Sequence, residues 1–116
     1  MNDSLSELAK ALAEFAERRD WRQFHSPKNL ACAMSVEAAE LLEIFQWLTE
    51  AQSRDLAPEK KQAAASEMAD VLSYLLHLAR ELDVDIVAAT AAKIAKNEER
   101  YPVDKSRGRS QKYDEL

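Results

Sequence analysis

The sequence predicts an all-α protein, and three observations carry that reading. Apolar residues recur every three to four positions in four separate segments, as they do along one face of a helix. The alternation of apolar and polar residues that marks a half-buried strand is absent. One Gly and three Pro in 116 residues leave few places to turn, so the helices are long and seldom broken. Apolar residues make up 47% of the chain, enough for the core of one domain, read here as residues 1–116 with 101–116 as an extended tail. A domain of this size buries only ~two-thirds of its unfolded surface, which leaves room for help from a partner chain.

The first helix is expected from Ser4 to Arg19, with Leu5, Leu8, Leu12 and Phe15 as its stripe. Ser4 and Glu7 have the spacing of a capping box. The stretch "DWRQFHSPKN" breaks the period and reads as a surface loop. Ser26 can cap the second helix, with Pro27 at its first position and an end near Thr49. Pro58 opens the third, which runs to about Leu82 through Met68, Val71, Leu72 and Leu75. "DVD" offers caps for the fourth, which ends near Arg100 ahead of Pro102. The tail, "YPVDKSRGRSQKYDEL", has no period and holds the lone Gly. Four helices in a compact bundle with an irregular, basic tail is the architecture this predicts.

Charge narrows the function. The net charge of −5 argues against general nucleic-acid binding. The distribution is uneven, however, because seven Lys or Arg and only three acids lie between Lys93 and Lys112. An acidic body with a basic end suits a small anionic ligand. Cys32 is alone, which excludes an intrachain disulfide and a Cys-based zinc site. The start lacks the pattern of a signal peptide and no apolar run is long enough to span a bilayer. A cytoplasmic protein with no membrane partner is expected.

The second helix spoils its own pattern. Its stripe runs through Met34, Leu41, Ile44 and Leu48, yet Glu37 falls on it and Glu40 lies beside it. The third helix repeats the feature with Glu67 and Asp70, again three apart. Residues at i and i+3 share a helix face. If the two helices pack antiparallel, four carboxylates converge in one partly buried site. Their repulsion demands compensation, and an all-oxygen set selects a hard divalent cation, Mg²⁺ or Mn²⁺. A single E-x-x-E pair is commonly a solvated helix face; two such pairs on consecutive apolar stripes are harder to explain that way. No His follows any of these acids at three residues, which disfavours a redox di-iron site.

Further polar residues extend the pattern. Tyr74 and His77 continue the Glu67/Asp70 face, either as pocket lining or as packed core-edge residues. Lys93, Asn97 and Tyr101 stand at four-residue steps on the fourth helix, as donors suited to phosphate oxygens or as a solvated helix end. Trp21 sits in a polar loop, where a flat apolar face can stack on a base.

"WRQFHSPKNL", "EAAELLEIFQW", "EMADVLSYL", "KIAKNEERYP" and "QKYDEL" together resemble the all-α nucleoside triphosphate pyrophosphohydrolases of MazG type, and among them the small dCTP pyrophosphatases. The likeness runs from about Leu5 to Leu116, and five ordered motifs make it specific. It implies hydrolysis of a (deoxy)nucleoside triphosphate to the monophosphate and pyrophosphate, with dCTP or a modified dCTP as substrate and cleansing of the nucleotide pool as the purpose. It implies Mg²⁺ held by Glu37, Glu40, Glu67 and Asp70, with Mn²⁺ as a substitute. It implies phosphate contacts from Lys93, Asn97, Tyr101, Lys112 and Tyr113, and a base pocket lined by Trp21, His25 and Trp47. It also implies a homodimer or homotetramer.

Two departures stand out. Val36 occupies the leading position of a first motif that often reads E-E-x-x-E in the wider family. Leu12 stands where the animal dCTP enzymes carry a His near the base. Groups left to read a base edge are His25, Asn29 and the backbone around Trp21, so a pyrimidine preference led by dCTP, looser than in those relatives, is expected. Damaged nucleotides other than dCTP are the alternative substrates. A helical interaction module without catalysis is the rival from another class, and pyrophosphate release separates the two.

Overall fold

The computed structural model describes residues 3–116. Those residues form two compact units that divide after Asp83. The first contains α1 (Ser4–Arg18), α2 (Pro27–Phe45), the short α3 (Glu50–Ser53) and α4 (Pro58–Glu81). The second contains α5 (Ile86–Arg100) and the short α6 (Val103–Ser106), followed by the tail. No strand occurs among the described residues.

The caps show why the helices begin where they do. Asp3, not Ser4, caps α1: its Oδ1 accepts from the Ser6 backbone N–H at 2.7 Å. Both residue types are good caps, and Asp3 holds the extended backbone that the position needs. Ser26 caps α2 as expected, with Pro27 in the first turn. That helix stops at Phe45, short of the expected Thr49. Thr49 instead caps α3, exchanging side-chain and backbone hydrogen bonds with Gln52 in a complete capping box. Pro58 opens α4 and Asp85 caps α5, both as the sequence indicates. The tail is less irregular than expected: α6 and a 3₁₀ turn at Tyr113–Glu115 interrupt it.

Helix α1 ends on Asp20, which takes a left-handed φ of 54°. The Asp20 and Trp21 amides then close back onto the Glu17 and Ala16 carbonyls at 3.1 and 3.0 Å, the arrangement of a Schellman stop. Asp83 adopts a similar φ of 53° after α4. Glycine would avoid the left-handed penalty of ~1–2 kcal/mol, partly offset by its greater chain entropy. Asp83→Gly is therefore expected to stabilise the protein by about 0.5–1 kcal/mol in urea unfolding. Destabilisation of that size would show that the aspartate side chain matters there.

The main packing in the first unit is α2 against α4, with α1 laid on α4. The start of α2 lies at the end of α4, since the His25 and His77 rings are 4.7 Å apart. Further along α2, Glu37 meets Glu67 and Asp70, earlier in α4. The two helices are thus antiparallel. The buried apolar residues are Ala16, Leu30, Ala64, Leu76 and Ala79. Three of these five are alanines, and small side chains let helix backbones approach closely. The same thin core leaves Val36, Leu42 and Met68 exposed.

Candidate metal and nucleotide site

Each acid of the candidate site is carried on a helix whose start is marked by a proline. Glu37 and Glu40 follow from the Ser26–Pro27 start of α2, and Glu67 and Asp70 from Pro58 in α4. One oxygen each from Glu37, Glu67 and Asp70 lies within 4.8 Å of the others. Glu37 and Glu67 are half-buried, while Asp70 is exposed at the edge. Glu40 is exposed and falls outside this trio. It stays close enough to perturb both Glu37 and Glu67.

The electrostatics of the group are unfavourable as it stands. Oε2 of Glu37 and Oε2 of Glu67 are buried without a hydrogen-bond partner. Two ionised carboxylates are both acceptors, so neither can satisfy the other. Sharing a proton is one relief, and it shows at Glu37, whose pKa is pushed from its ordinary 4.5 up to about 7. The first cause is the hydrogen bond that the protonated form makes with Glu40, followed by burial and by repulsion from Glu40. Glu67 is also raised, chiefly by burial. A divalent cation is the other relief. It would take up the orphaned oxygens and reverse the sign of the local field. Donor set, spacing and unsatisfied atoms all fit such an ion.

A pH dependence follows. Between about pH 4.5 and 7 the folded chain binds a proton at Glu37 that the unfolded chain has released, so metal-free stability falls as pH rises through that window. His77 works the other way, because its pKa is held below 6.5, mainly by burial. The diagnostic is therefore a comparison with Glu37→Gln, whose amide can donate to Glu67. In chelator, the native chain should lose several degrees of Tm relative to Glu37→Gln between about pH 5 and pH 8, and a divalent cation should restore it. Parallel pH profiles for the two proteins would argue against converged, ionised carboxylates.

A cavity of about 220 Å³ opens beside the trio, and Asp70 belongs to both. Leu12 and Phe15 from α1 and Trp21 from the following loop give it apolar walls. His25 closes one side, and Ser73, Tyr74 and His77 of α4 face them. Asp70, Ser73, Tyr74 and His77 are a single helical stripe at steps of three and four. Trp21 meets Phe15 edge-on with ring centroids 5.6 Å apart. Its loop is tied to α4 by Arg22, whose Nε donates to Glu81 Oε1 at 3.0 Å. Arg80 Nη2 reaches Glu17 at 2.8 Å beside it. Asn29, a candidate for base reading, has its Nδ2 committed to the Phe24 carbonyl at 3.1 Å, and so braces the loop.

Not every predicted residue gathers here. Trp47 follows the end of α2, is 86% exposed and does not line the cavity. Lys93, Asn97, Tyr101, Lys112 and Tyr113 belong to the second unit. There Lys93 and Asn97 are exposed on α5. Tyr101 and Tyr113 meet edge-on at 6.1 Å, and the Arg100 guanidinium lies 4.6 Å over the Tyr113 ring. Arg100 was not singled out from sequence, although its place in the last turn of α5 beside the basic tail is a usable signal. Phe15 and Ser73 are the cavity residues that the sequence pattern did not single out for the pocket.

Comparison with known proteins agrees with this geometry. The MazG-like family model matches residues 32–116. dCTP pyrophosphatase 1 of Rattus norvegicus is 43% identical over 115 residues, covering 97% of this chain and 68% of the relative. dCTP pyrophosphatase 1 of Homo sapiens is 41% identical, with the same coverage of 97% and 68%. Among solved structures, a pyrophosphatase from Archaeoglobus fulgidus is similar with a TM-score of 0.82 at 40% identity, covering 88% of this chain and 95% of that one. Family match, relatives and fold agree, and the chain belongs to the MazG-like family.

Proposed function

We propose that this chain is a Mg²⁺-dependent nucleoside triphosphate pyrophosphohydrolase that takes dCTP or a modified dCTP to the monophosphate and pyrophosphate, clearing it from the nucleotide pool. The observation that carries the reading is the pair of orphaned buried oxygens on Glu37 and Glu67, held against Asp70 beside a cavity with a tryptophan wall. The similarity to two mammalian dCTP pyrophosphatases supports the substrate.

Glu37, Glu67 and Asp70 would hold the cation, with Glu40 completing the set from one turn away; Mn²⁺ would substitute. When bound, the ion supplies charge neutralisation for the phosphates and a more acidic water. One of the four carboxylates, or a nearby Glu, takes the proton of the attacking water. Trp21 stacks on the base, and His25 and Tyr74 border it. Lys93, Asn97, Tyr101, Lys112 and Tyr113 contact the phosphates, since cationic and hydroxyl donors suit phosphate oxygens.

The protein acts in the cytoplasm as a homodimer or homotetramer. No helix among the described residues is long and apolar enough to cross a membrane. Exposed Val36, Leu42, Trp47 and Met68 are apolar surface that a second copy would cover. Light scattering at micromolar concentration should give a multiple of 13.1 kDa; a monomer would rule the assembly out.

The deciding experiment is a panel of common and 5-substituted nucleoside triphosphates with Mg²⁺, read as kcat/KM for pyrophosphate release. dCTP or a 5-substituted dCTP should rank first, and chelator should stop the reaction. A purine preference would overturn the substrate, and release of nothing from any nucleotide would overturn the activity.

A further inference from the structure

The cavity beside Asp70 has a stacking wall but needs a group that can tell one base from another. Its walls at Leu12, Phe15 and Trp21 are apolar, and stacking tolerates every base because each has a π-face. Discrimination requires hydrogen bonds to the base edge. At about 220 Å³ the cavity is smaller than the ~300–1,000 Å³ of pockets that enclose whole ligands. It fits one part of a nucleotide, and a single-ring base better than a double one.

The polar groups facing it are few. The Ser73 hydroxyl is spent, donating to the Ala69 carbonyl at 2.8 Å. It retains only acceptor capacity. His77 is different. Its ring lies 4.7 Å from that of His25, tilted by 54°, and 6.5 Å from that of Tyr74. Burial holds it below the usual histidine range, with His25 and Arg80 adding to that and Glu81 opposing. A neutral imidazole carries one donor and one acceptor. Cytosine presents an amino donor next to a ring-nitrogen acceptor, and the His77 imidazole can meet either one.

We propose that His77 reads the base edge in this chain and sets its choice among pyrimidines, with Trp21 as the stacking wall and His25 as its partner. The position is two turns along α4 from Asp70, so a base held there leaves its phosphates on the side of the acids. The assignment rests on the pyrophosphohydrolase reading above and adds the residue that gives it selectivity. It also accounts for a leucine at position 12: the reading group is carried on α4, facing that leucine across the cavity.

The test compares kcat/KM for dCTP, dTTP and dUTP in the native chain, in His77→Leu and in His77→Gln. His77→Leu keeps bulk and removes both hydrogen-bonding nitrogens. It should shrink the ratio between the best pyrimidine and the next by about tenfold or more. His77→Gln, which keeps a donor and an acceptor, should recover part of that ratio. An unchanged ratio in His77→Leu overturns the proposal and leaves the hydrolase reading standing. No pyrophosphate from any triphosphate with the native chain overturns that reading and this proposal together. A measurement on the native protein covers the case of a variant that does not fold. The chain has two histidines, so their ring signals in NMR are two, assigned with His25→Gln. Saturating dCMP should shift the His77 signal. No shift of that signal, under conditions where dCMP inhibits dCTP hydrolysis, sinks the assignment.

Discussion

Asp70→Asn and Glu40→Gln are expected to abolish pyrophosphate release, with a loss of roughly 10³-fold or more in kcat. Asp70 closes the trio with Glu37 and Glu67 and also borders the cavity. Its neutral amide would offer the cation one weak oxygen in place of a charge. Glu40 lies outside the trio but is the first cause of the strained proton at Glu37. Its loss would remove charge from the same site. Loss of activity alone would also follow from misfolding, so stability has to be measured alongside. Removing a negative charge from a group of four relieves repulsion. Both variants should therefore be folded, and in chelator near pH 8 each should melt no lower than the native chain. Added Mg²⁺ should raise the native Tm and leave that of Asp70→Asn nearly unmoved. Full turnover by either purified variant would remove the metal-site argument.

The residues show what a sequence can and cannot disclose about such a site. Ser26–Pro27, Pro58 and Asp85 are local signals, and the structure uses each as a helix start. Because they fix the register of α2 and α4, the convergence of Glu37, Glu67 and Asp70 was legible from spacing and polarity alone. The end of α2 was misread although its signal is also local. The Thr49–Gln52 capping box stops one helix by starting another, and an apolar period that continues to Leu48 hid it. The choice between Asp3 and Ser4 turns on backbone angles that the residue types do not encode. Spacing puts Glu37 and Glu40 on a shared face, but only the tilt of α4 against α2 decides which of them points inward. The ties from Arg22 to Glu81 and Arg80 to Glu17 link residues about sixty positions apart, with separations of 59 and 63. No periodicity reveals them, although they hold the Trp21 loop and the end of α1 against the end of α4. Trp47 is the reverse case. Its motif points to the pocket, yet it lies beyond the last turn of α2 and faces outward in the chain by itself.

The Trp21 loop is where that non-local tethering matters for function, and Trp21→Ala is expected to weaken every substrate by about 5- to 150-fold in kcat/KM. That range is the ~1–3 kcal/mol that a base–aromatic stack contributes. Trp21 is 45% exposed even with Phe15 against its edge, so its ring is held in place and still open to a ligand. The loop backbone is fixed independently of the indole, by the left-handed Asp20 and by the Arg22–Glu81 pair. Removing the ring should therefore leave the fold intact and fall on binding. Since stacking does not choose among bases, the loss should be similar for dCTP, dTTP and dUTP, with their order unchanged. That distinguishes Trp21 from His77, whose substitution should shrink the ratio between the best pyrimidine and the next. Trp47→Ala provides the contrast: in the isolated chain its 86% exposed ring does not line this cavity, so an effect there would have to come through a neighbouring subunit and should weaken with dilution. A Trp21→Ala enzyme with native kcat/KM on every substrate would move the base out of this cavity, while the acid cluster on α2 and α4 would keep its role.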